Sequence, residues 1–221
     1  MLHRLTHEEL DRLPLVQFEQ NIQLVDTPKK LSAAVEAMRH ETMLGFDTET
    51  RPSFKRGVTY NCALLQLSTE TTAWLIRLNI IGVTDELVEI LQDASILKAG
   101  VAIRDDIRGL QKWHNFRPGN FIELQDMARQ LGLEDFSLKK LAAHVMGVRI
   151  SKRQRLSNWE ADTLTEAQQH YAATDAWVSL LIYKGLQNGI VEHPRLHEII
   201  EKLTLKHQNK QQDAQNQTEA K

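Results

Sequence analysis

Cysteine is almost absent from this chain of 221 residues, which contains Cys62 alone. A single cysteine excludes a disulfide framework and an all-cysteine zinc site within the chain, and it is typical of a reducing compartment. The chain also lacks an apolar run near the roughly 20 residues that span a bilayer, and its first residues lack the apolar core of a signal peptide. We therefore expect a soluble, cytoplasmic protein without a membrane partner.

A large excess of one charge is missing too, because 27 Lys and Arg residues stand against 29 Asp and Glu residues. Any contact with nucleic acid then depends on a local basic patch. The ten glycines include no Gly-x-Gly, and no Gly-Lys-Ser/Thr occurs, which excludes the common dinucleotide and P-loop motifs. His193 and His197 have the spacing of a zinc pair on a helix, but no third ligand is evident, so a surface or capping role is favoured.

The order of apolar segments predicts an α/β fold. Strand candidates at residues 43–49, 62–68 and 73–78 follow one another across polar loops, which predicts a meander. Helical and strand patterns then alternate, beginning with a helix at 84–92 and a strand at 97–101. This order indicates a mixed central sheet flanked by helices.

Capping signals and composition predict the domain organisation. Thr6 with Glu9 predicts a short first helix, and Thr165 with Gln168 predicts the start of a long helix that ends near residue 188. We predict a helical arm at residues 1–20, a main domain at 21–205 and a disordered polar tail at 206–221. The tail is rich in Gln and Asn and has almost no apolar side chains.

Acidic residues stand at two strand ends, where an acid is unusual. Asp47 and Glu49 are two residues apart at the end of an apolar strand, so their side chains point to one face. Asp105 and Asp106 follow the strand at 97–101, at the start of a helix. Each pair also has a simpler interpretation. Asp47 and Glu49 would be exposed acids if the strand ran into solvent. Asp105 and Asp106 lie in a first helical turn, where the helix dipole favours acids in any protein.

A third acidic position lies in the long helix. Asp175 follows Tyr171 by four residues, about 40° away around the helix, so the two side chains share a face. Alone, such a pair is more simply a solvated helix surface. Together, the three positions form a set of carboxylates suited to Mg²⁺ or Mn²⁺. Two such ions are the usual clamp for displacement at phosphorus.

The same segments resemble the DnaQ-like (DEDD) 3′→5′ exonucleases, in the branch that contains RNase D and the exonuclease domain of the Werner syndrome helicase. The resemblance extends over about residues 43–188 and rests on FDTET at 46–50, ALLQLS at 63–68, AGVAIRDD at 99–106, FSLKKLAAHVMG at 136–147, SNW at 157–159 and LTEAQQHYAATDAWVSLLIY at 164–183. It implies an RNase H-like fold and a hydrolase that removes nucleotides from a 3′ end as nucleoside 5′-monophosphates.

The resemblance also implies roles for individual residues. It implies that two Mg²⁺ or Mn²⁺ ions are held by Asp47, Glu49, Asp106 and Asp175, and that Tyr171 orients the attacking water.

Two alternatives accompany this assignment. Asp106 matches the family's acid because it precedes an apolar residue, and Asp105 is the alternative. His170 has the spacing of the histidine-type branch, but on an ideal helix it lies about 140° from Asp175, which favours the tyrosine-type branch.

Basic residues predict where nucleic acid binds. Between Phe136 and Trp159 the chain has no acidic residue and six basic ones: Lys139, Lys140, Arg149, Lys152, Arg153 and Arg155. We expect Lys152, Arg153 and Arg155 to contact phosphates, whereas a solvated helix and loop is the alternative. Phe54, Lys55 and Arg56 follow the first acidic motif and are expected to contact the terminal nucleotide. Trp159 is expected to pack inside the domain.

The function predicted from these residues has two rivals. One is an RNase D-like exoribonuclease in RNA processing, and the other is a non-catalytic nucleic-acid-binding module on the same fold. DNA and RNA both stay open as substrates at this point.

Overall fold

The computed structural model describes residues 4–219 and the side chains within that range, except those of residues 210, 211 and 213–219. The strands are β1 (Asn21–Val25), β2 (Met43–Thr50), β3 (Cys62–Ser68), β4 (Thr72–Arg77), β5 (Leu97–Gly100) and β6 (Phe121–Glu123). The helices are α1 (His7–Arg12), α2 (Pro28–Met38), α3 (Leu78–Ile81), α4 (Asp85–Gln92), α5 (Ile103–Gln111), α6 (Leu124–Gln130), α7 (Leu138–Met146), α8 (Glu166–Gln187) and α9 (Pro194–Glu219).

The strands form one mixed sheet in the order β1-β4-β3-β2-β5-β6. β3 is antiparallel to both of its neighbours, and the remaining pairs are parallel. The predicted meander is therefore confirmed as β2, β3 and β4. The predicted α/β class with a mixed sheet between helices is confirmed as well.

The two faces of β2 have different neighbours because side chains alternate along a strand. Leu44 and Phe46 are fully buried in the core on the side of α2 and α4. Gly45 lies on the other face, where a Cβ atom would stand 1.8 Å from the carbonyl oxygen of Ala176 in α8. Glycine thus lets the backbone of α8 lie directly against β2, which brings the acids of the two elements together.

The arm contains α1 with the predicted capping box of Thr6 and Glu9. Leu5, Leu10 and Leu13 of the arm form a buried cluster with Ala143 of α7 and Leu196 of α9. The apolar side chains of the arm therefore pack against α7 and α9 of the main domain. Residues 1–3 of the predicted arm lie outside the described residues.

The prediction of disorder after residue 206 differs from the structure, in which α9 continues to Glu219. Residues 195–219 contain neither proline nor glycine and are rich in Gln, Lys and Glu, which favour helix even where no apolar face is buried. Residues 220 and 221 lie outside the described residues, and the domain boundaries themselves stay a prediction. No helix within residues 4–219 combines the length and the apolar character that crossing a membrane requires.

Candidate active site

Three carboxylates meet where β2 ends against α8. Oxygen atoms of Asp47, Glu49 and Asp175 all lie within 4.8 Å of one another. Glu49 is 9% exposed and Asp175 is 6% exposed, so both acids are largely withdrawn from water. All three line a cavity of about 280 Å³, here called the acid cavity, which Tyr171 also lines. Two of the predicted segments, 46–50 and 164–183, therefore do meet at one site.

Burial makes this cluster electrostatically unfavourable by itself. Burial, and then the charges of Asp175 and Asp106, raise the pKa of Asp47 well above its ordinary value. Burial and the neighbouring acids raise the pKa of Glu49 to about 10. Burial raises the pKa of Asp175 to about 7. Such a cluster keeps its negative charge at neutral pH only beside a cation, and its all-oxygen donors suit a hard divalent ion.

Asp106 lies at the edge of this cluster. Its carboxylate accepts a hydrogen bond from the hydroxyl of Thr48, the residue between Asp47 and Glu49 in the sequence of β2. Burial raises the pKa of Asp106, and its charge in turn raises the pKa of Asp47. The carboxylate is outside the group of three within 4.8 Å, so the structure brings together three of the four predicted ligands and holds the fourth beside them.

The start of α5 explains why Asp106, and not its neighbour, faces the site. Glu123 accepts hydrogen bonds from the backbone N–H groups of Ala102 and Ile103, both at 2.9 Å, and so fixes the first turn. Asp105 is exposed and pairs with Arg108 at 3.1 Å. The alternative assignment to Asp105 therefore has no support in the geometry.

Tyr171 presents a protonated hydroxyl to the acid cavity. Its ring lies 6.0 Å from that of Trp159, which is fully buried. Burial raises the pKa of Tyr171 above its ordinary value of 10.0, and the carboxylates of Asp175 and Glu49 raise it further. The hydroxyl consequently keeps its proton at neutral pH. Trp159 packs behind Tyr171, as expected, and has no exposed face for a base.

His170 points elsewhere. Its Nδ1 atom lies 2.8 Å from the carbonyl oxygen of Phe18 in the arm, and its Nε2 atom lies 3.6 Å from Glu166. Among the described residues, those that line the acid cavity include Tyr171 and not His170. The geometry therefore favours the tyrosine-type arrangement.

The basic residues between Phe136 and Trp159 divide into two groups. Lys140 pairs with Asp135, and Arg149 donates to the carbonyl oxygen of Leu13 at 2.9 Å, so these two hold the structure together. Lys139, Lys152 and Arg155 line the acid cavity. Lys152 lowers the pKa of Asp175 against the effect of burial, and Arg155 does the same for the pKa of Glu49. Arg153 is exposed nearby.

Phe54, Lys55 and Arg56 are exposed on the loop between β2 and β3, and Phe54 is 84% exposed. In the described part of the chain, none of these three residues lines the acid cavity. Their contact with the terminal nucleotide stays a prediction.

His193 and His197 do not form a metal site in the described residues. His197 contacts Glu192 at 2.6 Å and Glu201 at 3.2 Å, and His193 accepts a hydrogen bond from the backbone of Arg195. These contacts agree with the surface and capping interpretation.

Three polar residues that line the acid cavity were not singled out from the sequence, namely Thr48, Ser151 and Ser179. Ser179 lines the acid cavity one helical turn after Asp175 and donates to its backbone oxygen at 2.9 Å. Thr48 holds Asp106. The spacing of four residues from Asp175 was a usable signal for Ser179. Asp106, the partner of Thr48, is distant in sequence, so no local pattern indicated the role of Thr48.

Comparisons with known proteins agree with this geometry. A family model described as 3′-5′ exonuclease matches residues 22–190. The bifunctional 3′-5′ exonuclease/ATP-dependent helicase WRN of Mus musculus is 37% identical over 152 residues, which are 66% of this chain and 11% of that protein. Ribonuclease D of Cronobacter turicensis is 31% identical over 172 residues, 76% of this chain and 46% of that protein. The chain thus spans less than half the length of either relative.

Solved structures show the same architecture. The EXO domain of Aedes aegypti Nibbler superposes with a TM-score of 0.71 at 22% identity, over 79% of this chain and 92% of that one. Escherichia coli RNase D, an exoribonuclease involved in structured RNA processing, superposes with a TM-score of 0.69 at 29% identity, over 77% of this chain and 45% of that one. The sheet and helices therefore form an RNase H-like fold.

Proposed function

Since the chain belongs to the 3′-5′ exonuclease family, we propose that it removes nucleotides one at a time from the 3′ end of nucleic acid. The observation that carries the proposal is the cluster of Asp47, Glu49 and Asp175, buried beside a protonated Tyr171 in a cavity that basic side chains also line. The proposed reaction hydrolyses the last phosphodiester bond. The water oxygen bonds to phosphorus, the bond from phosphorus to the 3′ oxygen breaks, and a nucleoside 5′-monophosphate leaves.

Divalent cations complete the proposal. Asp47, Glu49 and Asp175, with Asp106 beside them, offer four carboxylates, whose charge balances two ions such as Mg²⁺ or Mn²⁺. When bound, these ions would lower the pKa of a water molecule and stabilise the charge on the phosphate. The raised pKa values of the acids support this role, because burial and then mutual repulsion raise them, and a nearby cation offsets both effects.

The side chains of the chain itself contribute positioning and charge. The hydroxyl of Tyr171 is able to donate a hydrogen bond to water or to a phosphate oxygen, but its raised pKa prevents it from accepting a proton as a base. Lys152 and Arg155 carry positive charge on the wall of the acid cavity, where a phosphodiester would enter. The chain thus orients the reacting groups, while the carboxylates hold the cations.

RNA is the second candidate substrate beside DNA. The observation in its favour is the 31% identity to Ribonuclease D over 76% of this chain. The WRN relative, at 37% identity, bears a name that does not state which nucleic acid it degrades. We therefore propose 3′-end hydrolysis with DNA and RNA as alternatives.

The test is a gel assay with matched DNA and RNA oligonucleotides that carry a label at either end. Hydrolysis from the 3′ end converts the 5′-labelled strand into a descending ladder, and it releases the 3′ label at once as a mononucleotide. Asp47→Asn should remove both signals, and Asp105→Asn should keep them. A ladder from the 3′-labelled strand would contradict the proposed direction.

A further inference from the structure

A second cavity of about 490 Å³ adjoins the acid cavity. The two share Lys152, Tyr171 and Asp175 in their walls, so they are continuous. The second cavity is lined by residues 15–17 of the arm and by residues 149–154, and the two segments are paired at Leu15 and Arg149. On the basis of the proposed function, we propose that this arm groove receives the single strand that leads into the acid cavity, upstream of the terminal nucleotide.

The arm is bonded to Arg149 and to α8, so its part of the groove lining has a defined position. The backbone of Val16 donates to the carbonyl oxygen of Arg149 at 3.0 Å, and Arg149 donates back to Pro14 at 2.9 Å. Phe18 is 1% exposed, and its backbone N–H donates to the hydroxyl of Thr174 at 3.0 Å. Thr174 is the residue before Asp175, so the arm is held by the same turn of α8 that carries the acid.

The charge of the groove is suited to phosphates. Lys139, Lys152 and Arg153 line it, and no carboxylate of the described residues lies within salt-bridge distance of any of them. Asp175, at the junction with the acid cavity, is the one acid in its lining within that part of the chain. Lysine and arginine side chains that form no salt bridge within the protein attract a phosphate backbone through charge.

The arm adds an apolar residue to the groove lining. Leu15 is 53% exposed although its backbone is paired with Arg149, so its side chain is presented to solvent at the rim of the groove. Proteins that bind single strands combine a basic track with apolar or aromatic surfaces that contact sugars and bases. The groove lining has both features.

The size of the groove restricts the substrate. Its volume of about 490 Å³ is in the range of roughly 300–1,000 Å³ for pockets that enclose one small molecule. A groove of this size has room for about one nucleotide of a single strand. The proposed substrate class is therefore nucleic acid with a single-stranded 3′ end, and a blunt duplex should be degraded more slowly than the same strand alone.

The experiment places a charge of either sign at Leu15 and measures KM for single-stranded 12-residue DNA and RNA oligonucleotides. Leu15→Glu should raise KM roughly five- to tenfold, the size of one charge interaction near a protein surface, and Leu15→Arg should lower it. Leu205→Glu is the matched control, because Leu205 is 58% exposed on α9, outside the groove lining, and this variant should leave KM unchanged. A shift with DNA alone, RNA alone or both supports the groove.

Two results would overturn the inference. If Leu15→Glu and Leu15→Arg change KM in the same direction, Leu15 acts through packing and not through contact with the strand. If neither variant changes KM, the strand does not pass through the groove. Wild-type protein that degrades neither oligonucleotide would instead overturn the proposed function itself, so the two failures are distinguishable.

Discussion

At the scale of single residues, the adjacent acids Asp105 and Asp106 have different surroundings. Asp106 is bound by Thr48 beside the acid cluster, whereas Asp105 is exposed and pairs with Arg108. We expect Asp106→Asn to lower kcat by about a hundredfold or more, as the loss of a group that supports a metal site does. Asp105→Asn should change kcat less than about twofold, since surface substitutions have small effects. Rate measurements at saturating Mg²⁺ check both variants, and the reverse ranking would transfer the role to Asp105.

Tyr171 and His170 offer a second residue-scale comparison. Tyr171→Phe should reduce kcat on the order of ten- to a thousandfold, because it removes one positioning contact. His170→Ala should matter little, since His170 is bonded to Phe18 outside the acid cavity. The pH–rate profiles of the wild type and of His170→Ala should then have the same shape near pH 6.5, where a histidine base would produce an inflection in the wild type alone. If His170→Ala is inactive and Tyr171→Phe keeps its activity, the chain belongs to the histidine-type branch.

The sequence contained most of this residue-scale information, for physical reasons. Alternation along β2 predicts that Asp47 and Glu49 share a face, and helical geometry predicts the same for Tyr171 and Asp175. Both relations are local in sequence. The bond between Thr48 and Asp106 joins residues 58 apart, and no periodicity reports on such a contact.

At the scale of elements, the close packing of α8 on β2 makes a prediction about stability. Gly45→Ala should lower the free energy of unfolding by about 3 kcal/mol or more, because the new methyl group would collide with the backbone of Ala176 and not with a movable side chain. Gly109→Ala is the control in α5, where the nearest atom is 3.8 Å from the added carbon. It should be neutral or stabilise by up to about 1 kcal/mol, through helix propensity. Urea unfolding measures both, and equal effects would contradict the close approach.

Elements with strong local signals were predicted well. The capping boxes at Thr6 and Thr165 are present, and both helices begin where these signals place them. α3 has only four residues, too few for a helical period to be recognised. The helix after residue 206 was missed because composition reports on burial, while helix formation also depends on backbone propensity. The parallel pairing of β1 with β4 rests on contacts between distant segments and has no local signal.

At the scale of the whole molecule, the buried acids couple stability to pH and to metal. The folded-state pKa values of Asp47, Glu49 and Asp175 are raised, so the unfolded chain releases these protons at lower pH than the folded chain does. In the metal-free protein, the stability that these groups contribute is present below about pH 4 and is lost as pH rises, through about 7 for Asp175 and about 10 for Glu49.

Asp47→Asn removes one of these charges and provides the test. In EDTA at pH 8, the variant should be more stable than the wild type by on the order of 1–2 kcal/mol, and at pH 4.5 this advantage should shrink. Saturating Mg²⁺ or Mn²⁺ should stabilise the wild type more than the variant, because ligands stabilise the state that binds them. Denaturant unfolding at both pH values measures the difference. A variant that is less stable than the wild type in EDTA at pH 8 would contradict the destabilising effect of charge buried at this site.

The most direct test of the central claim is the rate of 3′-end hydrolysis before and after removal of divalent cations. The claim is that the carboxylates of Asp47, Glu49, Asp106 and Asp175 act by holding such ions. Exhaustive treatment with EDTA should abolish release of mononucleotides from a 3′-labelled oligonucleotide, and added Mg²⁺ or Mn²⁺ should restore it in the wild type but not in Asp175→Asn. Hydrolysis that persists at its full rate after exhaustive chelation would contradict the account.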